Sequence, residues 1–124
     1  SENISEQVIE STETGLAYQF LNWQLNTAKH EFTDPEGLMI TLSAAEYSLL
    51  LAFIEHPNRV LSRELLLEFT QDEEAGVFDR SIDVLVSRLR NKVEVDSRKP
   101  EIIKTIRGGG YLFTPKVSKQ NVVL

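Results

Sequence analysis

A chain of 124 residues, 41% hydrophobic and 26% charged, has the length and composition of one soluble globular domain with a single core. No apolar run approaches the roughly 18 residues of a membrane span, the N-terminal residues lack the basic-then-apolar pattern of a signal peptide, and no cysteine is present, so no membrane partner, disulfide or thiolate chemistry is expected and the composition suits the cytosol. The formal net charge of −6 is unevenly spread, three basic against fifteen acidic residues over 1–79 and ten against four over 80–124, so a negative half and a positive half can face different partners.

Residues 1–15, SENISEQVIESTETG, carry Glu2, Glu6, Glu10 and Glu13 and hold no sustained period. They read as an acidic linker or tail, and we expect the chain to be the C-terminal piece of something longer. From Leu16 to Leu42 the pattern is strand-like, in the runs LAYQFLNWQL, KHEFT and LMITL. Asn26-Thr27 and the turn cluster Asp34-Pro35-Glu36-Gly37 separate them, which predicts an antiparallel meander. Tyr18, Phe20 and Trp23 could stack on bases. Core packing is the better account, because no Lys or Arg is interleaved until Lys29.

At Ser43 the period changes. Ser43-Ala44-Ala45-Glu46 has the form of a capping box, and Tyr47, Leu50, Leu51 and Ile54 follow at helical spacing until His56-Pro57-Asn58 ends the helix. Arg59-Val60-Leu61 is a short extended link. Ser62 then caps a second helix, Arg63 to about Thr70, expected to bury Leu65, Leu66 and Phe69. Gln71 to Phe78, with Asp72, Glu73 and Glu74, reads as an acidic surface loop that lacks the ligand spacing of a calcium site.

The third helix, RSIDVLVSRLRNKV over Arg80 to Val93 and capped by Asp79, is the most informative stretch. Ile82, Leu85, Val86, Leu89 and Val93 form one apolar stripe. At about 100° per residue the opposite side carries Arg80, Val84, Ser87 and Asn91, with Arg88 on one shoulder and Arg90 on the other. Such a helix suits a major groove. The plainer account is a solvated face with Arg90–Glu94 and Lys92–Asp96 pairs at i, i+4.

After Arg98-Lys99-Pro100 comes a hairpin, EIIKTIR and YLFTP around Gly108, Gly109 and Gly110. A phosphate loop is a weak reading of these glycines, because no Lys-Ser/Thr follows and the run enters a strand. Residues 116–124, KVSKQNVVL, look like a tail. His30 and His56 have no metal-site spacing, and no nucleophile constellation can be made out, so neither an enzyme nor a cofactor nor a metal is expected.

Meander, capped helix, second helix, loop, basic third helix and closing hairpin make an α+β winged helix-turn-helix. Four motifs, LSAAEYSLL, VLSRELL, RSIDVLVSRLRNKV and IIKTIRGGGYLF, resemble the effector domain of the OmpR/PhoB family of two-component response regulators over about Phe20 to Pro115. The expected layout is an interdomain linker over 1–15, a DNA-binding domain over 16–115 and a tail over 116–124. The resemblance implies a third helix in the major groove of double-stranded DNA, a wing at the adjacent minor groove, and a loop at Asp72, Glu73 and Glu74 that faces RNA polymerase. It also implies an N-terminal receiver domain served by a sensor kinase, direct-repeat promoter sites, and a domain that is monomeric alone and dimeric on DNA. By position, Arg80 and Arg90 would hold phosphates, and Val84, Ser87 and Arg88 would face bases beside Asn91. Thr105 and Tyr111 would support backbone contacts, and Arg107 would be the wing's cation. Leu85 stands where many relatives have a polar residue and Ser87 where some have Arg, so a base preference does not transfer. The competing expectation is a winged-helix protein-association module that works through its acidic surface.

Overall fold

A computed structural model of the protein describes residues 14–70 and 79–123, with the backbone alone at 14, 79–81, 122 and 123. In chain order the elements are β1 (Thr14–Phe20), β2 (Trp23–Asn26), β3 (Glu31–Thr33), β4 (Met39–Ile40), α1 (Ala44–Glu55), β5 (Val60–Leu61), α2 (Arg63–Thr70), α3 (Asp79–Val93), β6 (Ile103–Ile106), β7 (Gly110–Phe113) and β8 (Ser118–Val123). Among the described residues no helix is long and apolar enough to cross a membrane. Two compact units emerge, one from the described parts of 1–41 and 117–124, the other from those of 42–116.

The first unit is an antiparallel sheet in the order β4-β3-β2-β1-β8. The run expected to be one strand, LAYQFLNWQL, is a hairpin instead. Leu21 and Asn22 both have positive φ, 47° and 70°, and Phe20 pairs directly with Trp23 across them. Two consecutive positive-φ residues give a hairpin turn whose twist matches its strands; Asn adopts that conformation readily and Leu does not, so the composition hid the turn. The hairpin buries Tyr18, Phe20, Trp23, Leu25 and Phe32. The rings of Phe20, Trp23 and Phe32 stack at 4.8 to 6.3 Å, and this aromatic set is core, not a platform for bases. At the next turn Asp34 Oδ1 accepts from the N–H groups of Glu36 and Leu38, both at 2.9 Å, and Gly37 supplies the positive φ.

Residues read as a tail form β8, paired with β1 from Thr14↔Val123 to Gln19↔Ser118. Ser118-Lys119-Gln120-Asn121 has no apolar alternation, so its strand character rests on main-chain pairing that residue types alone do not advertise. Thr14 and Gly15, assigned to the linker, belong to β1. Residues 1–13 of that linker lie outside the described residues.

In the second unit α1 packs against α2, α3 and β7, and β5-β7-β6 form an antiparallel three-stranded sheet. Ser43 Oγ accepts from the Glu46 N–H at 3.2 Å while Glu46 Oε1 accepts from the Ser43 N–H at 3.0 Å, so the capping box forms as spaced. Leu49, Leu50, Phe53 and Ile54 are buried, whereas Tyr47 and Leu51 of the expected stripe are half-buried. A helix this apolar is covered on more than one side. Phe53 stacks on Phe113 at 6.1 Å, joining helix to sheet. The helix ends at His56, whose Nδ1 lies 2.9 Å from the Ala52 carbonyl, and Asn58, at φ 62°, donates its N–H to the Phe113 carbonyl at 2.8 Å. That bond leads the chain into β5. Ser62 Oγ caps α2 by accepting from the Leu65 N–H at 3.1 Å. Leu66 is buried and Leu65 half-buried, but Phe69, expected inside, is 37% exposed and stacks on His56 at 5.0 Å.

Candidate nucleic-acid interface

The helix α3 has three sides. Ile82, Leu85, Val86, Leu89 and Val93 are buried, and their burial contributes on the order of 10 kcal/mol of gross hydrophobic stabilisation that holds the helix to the unit. Val84, Ser87, Arg88 and Asn91 are exposed at i, i+3, i+4 and i+7, with Val84 at 48%. Between these sides runs a polar edge of Asp83, Arg90 and Glu94 at i, i+7 and i+11. Leu85 thus belongs to the core stripe. Asp79 and Arg80 open the helix, and the cap and phosphate roles expected of their side chains lie outside the described residues.

The polar edge holds the wing. Arg90 donates to the Ile103 carbonyl from Nε at 2.9 Å and from Nη2 at 2.6 Å, and Nη2 also donates to Thr105 Oγ1 at 2.9 Å. The Glu94 carboxylate accepts from the N–H groups of Glu101 at 2.8 Å, Ile102 at 2.9 Å and Ile103 at 2.8 Å. Both main-chain groups of Ile103, on the outer edge of β6, are therefore satisfied by side chains, the carbonyl by Arg90 of α3 and the N–H by Glu94, the residue after its last turn.

Two turns before Arg90, Asp83 meets the other strand of the hairpin. Tyr111, only 4% exposed, donates its hydroxyl to Asp83 Oδ1, and Arg63 Nε donates to the same oxygen at 2.9 Å. The guanidinium groups of Arg63 and Arg90 lie 5.5 and 5.4 Å from the centre of the Tyr111 ring. The Tyr111 hydrogen bond, opposed by partial burial and helped by Arg63, holds the Asp83 carboxyl below its ordinary range. Burial, then the bond and charge of Asp83, push the Tyr111 phenol up.

The local ion pairs expected along α3 give way to longer-range partners. Lys92 Nζ reaches Glu46 Oε1 at 2.6 Å, while Arg90 and Glu94 both turn to β6. Burial pushes the Glu46 carboxyl up, but the Lys92 hydrogen bond, the Ser43 N–H and the charges of Lys92 and Arg88 bring it below its ordinary value. Arg88 and Arg107 are exposed and form no hydrogen bond or ion pair among the described residues, and Lys104 is exposed on β6, three residues before Arg107. Of the residues expected at the interface, Val84, Ser87, Arg88, Asn91 and Arg107 thus present free side chains. Arg90, Thr105 and Tyr111 form the joint beneath. Asp72, Glu73 and Glu74 lie outside the described residues. From sequence, Arg63 and Asp83 have no site role and Glu94 stands only as an i+4 partner of Arg90; the polar spacing of Asp83, Arg90 and Glu94 along one edge is the signal that points to the two acids.

Residues 37–113 match the family model described as transcriptional regulatory protein, C terminal. The chain is 46% identical over 101 residues to the regulatory protein VirG of Agrobacterium fabrum, covering 82% of this chain and 40% of that one. It is 35% identical over 98 residues to the transcriptional regulatory protein GltR of Pseudomonas aeruginosa, covering 79% and 40%. It therefore spans about two fifths of the length of these curated relatives. Among solved structures, the RstA DNA-binding domain of Klebsiella pneumoniae in complex with the RstA box is similar at a TM-score of 0.71 and 30% identity, over 81% of this chain and 98% of that one. The Thermotoga maritima OmpR/PhoB homologue DrrB is similar at 0.69 and 33%, over 79% and 44%. With the capped helix, the three-sided α3 and the hairpin fastened to it, these likenesses mean that the chain belongs to the C-terminal family of transcriptional regulatory proteins, as the winged-helix effector domain of an OmpR/PhoB-type response regulator.

Proposed function

We propose that this domain controls transcription by binding double-stranded DNA sequence-specifically, with α3 in the major groove and the β6–β7 wing at the adjacent minor groove. The observation that carries the reading is the exposed row Val84, Ser87, Arg88 and Asn91 on a helix whose other two sides are occupied by core and wing. Arg88 has the reach and fork geometry to read a guanine edge, Asn91 and Ser87 offer shorter hydrogen-bonding groups, and Val84 offers methyls to a thymine. Arg80 at the helix start and Arg107 at the wing turn supply charge to the phosphates or the minor groove. The positive balance of residues 80–124 supports this in spite of the chain's overall charge. The similarity to the RstA DNA-binding domain, solved in complex with the RstA box, supports DNA as the partner.

The domain acts by binding and needs no cofactor. It works in the cytoplasm as part of a longer regulator, with a receiver domain phosphorylated by a sensor kinase, pairs on direct-repeat promoter sites, and faces RNA polymerase with Asp72, Glu73 and Glu74. The share of VirG and GltR that this chain leaves uncovered supports the receiver. Equilibrium binding to duplexes recovered from a randomised pool, measured across a salt series, tests the DNA reading. Log affinity should fall against log salt with a slope of about −0.9 per phosphate neutralised. A flat response on every duplex would sink it.

A further inference from the structure

We propose that Arg90 and Glu94 are positioning residues, a clamp that fixes the wing to the recognition helix, so that Arg90 serves DNA binding by placing Arg107 and not by holding a phosphate. The proposal rests on the DNA-binding reading above and revises the phosphate role expected of Arg90 from sequence. Three of the five N–H donors of the guanidinium are directed inward, from Nε and Nη2, to the Ile103 carbonyl and Thr105 Oγ1. Its central carbon lies over the buried Tyr111 ring, 5.4 Å from the centre. One helical turn on, Glu94 takes the Ile103 N–H at 2.8 Å.

Among the described residues, the sheet order β5-β7-β6 leaves the outer edge of β6 with no strand beside it. Arg90 and Glu94 act as the missing neighbour at Ile103, one supplying donors and the other an acceptor. From Ile103 to Arg107 is four residues, a lever of about 13 Å, so a tilt of about 10° at the clamp carries the wing turn about 2 Å. A displacement of that size separates a cation from a groove it must enter. The major-groove and minor-groove contacts are thereby coupled through a joint that touches neither groove.

A double-mutant cycle on a selected duplex at fixed salt tests this. Arg107→Ala should weaken binding about tenfold in the parent and less than about twofold in an Arg90→Ala background, because a wing already out of place has no contact left to lose. Independent effects, each about tenfold and multiplying in the double variant, would identify Arg90 as a separate phosphate contact and overturn the clamp. Arg98→Ala, which removes an exposed cation away from the joint, serves as the charge-matched control. Should Arg90→Ala fail to fold, Arg90→Lys keeps the charge without the fork, and the same loss of coupling is expected. If the parent binds no duplex at all, the DNA reading has failed. The clamp is then judged on the free protein by amide exchange: the Ile103 N–H should be protected, and Glu94→Ala, which removes the acceptor, should expose it at least about tenfold. Unchanged protection would refute it.

Discussion

The phenolic hydroxyl of Tyr111 donates to the carboxylate of Asp83, which joins the wing strand β7 to the helix α3. Arg63, at the start of α2, donates to the same oxygen at 2.9 Å, so one half-exposed carboxylate gathers three elements. The helix that would read DNA is tied at Asp83 to its neighbouring helix and at Arg90 and Glu94 to β6.

Tyr111→Phe keeps the ring and removes only the donor. It should cost about 1 kcal/mol, the low end for a hydrogen bond to a charged group because Asp83 shares water. The Asp83 carboxyl is held low chiefly by this bond, so its contribution is present above the ordinary carboxylate range and is lost as pH falls through the folded value. The Tyr111 phenol is pushed up, chiefly by burial, so its contribution is present below the usual tyrosine value and is lost as pH rises through the folded one. Urea unfolding of parent and variant should differ most between about pH 5 and 9, and the difference should shrink as pH falls through the folded Asp83 value. A difference that persists undiminished in acid would remove Asp83 as the acceptor.

Glu46 has two partners, the Ser43 N–H three residues before it and Lys92, 46 residues after it in sequence. Glu46→Ala should cost about 2 kcal/mol at neutral pH, combining half of a capping box with a charge-assisted bond in a largely buried setting. Its carboxyl is held low despite burial, so the cost should shrink as pH falls and protonation weakens the Lys92 bond in the parent. Denaturant midpoints at pH 7 and pH 3 measure this directly.

Two glycines of the hairpin should respond unequally to alanine. A Cβ on Gly110 would stand 2.1 Å from the Leu61 carbonyl oxygen, at φ +120°, whereas a Cβ on Gly108, at φ +72°, would meet nothing within 4 Å. Gly108→Ala should cost about 1 kcal/mol for the left-handed conformation alone. Gly110→Ala should cost about 3 kcal/mol or more, because β5 must move away from β7 as well. Thermal unfolding of the two variants would show whether the order holds.

Features carried by neighbouring residues were legible in the sequence. The capping box at Ser43 and Glu46, the Ser62 cap and the buried stripe from Ile82 to Val93 stand where spacing puts them, because partners three or four residues apart are set by helix geometry. Partners chosen by tertiary packing were not legible. Arg90 and Lys92 have acids at i+4, and only the fold brings Ile103 and Glu46 to them. Phe69 looks like core at its spacing, yet it lies on the surface against His56. β8 pairs through its backbone and carries no pattern to find.

Leu21 shows the same limit and makes a prediction. It is 59% exposed at φ 47°, in a turn where a side chain branched at Cγ gains nothing from burial and suffers the left-handed backbone. Leu21→Asn should stabilise the protein by about 0.5 to 1 kcal/mol, since Asn tolerates this conformation and little apolar contact is lost. A lower denaturant midpoint would mean that Leu21 makes a contact its exposure does not reveal.

Arg88→Ala separates base reading from general charge. Arg88 is exposed in the middle of the row, has no hydrogen bond or ion pair among the described residues, and does not share the joint that holds the wing. Its loss should therefore leave folding within about 0.5 kcal/mol of the parent while removing about 1 to 3 kcal/mol of discrimination at a single base pair. Selection from a randomised pool should return the parent's site with one position relaxed. The salt slope should change little, because a base contact releases few counterions. If the whole site weakens evenly and the slope falls by about 0.9, Arg88 holds a phosphate, and the reading residues of α3 are Val84, Ser87 and Asn91.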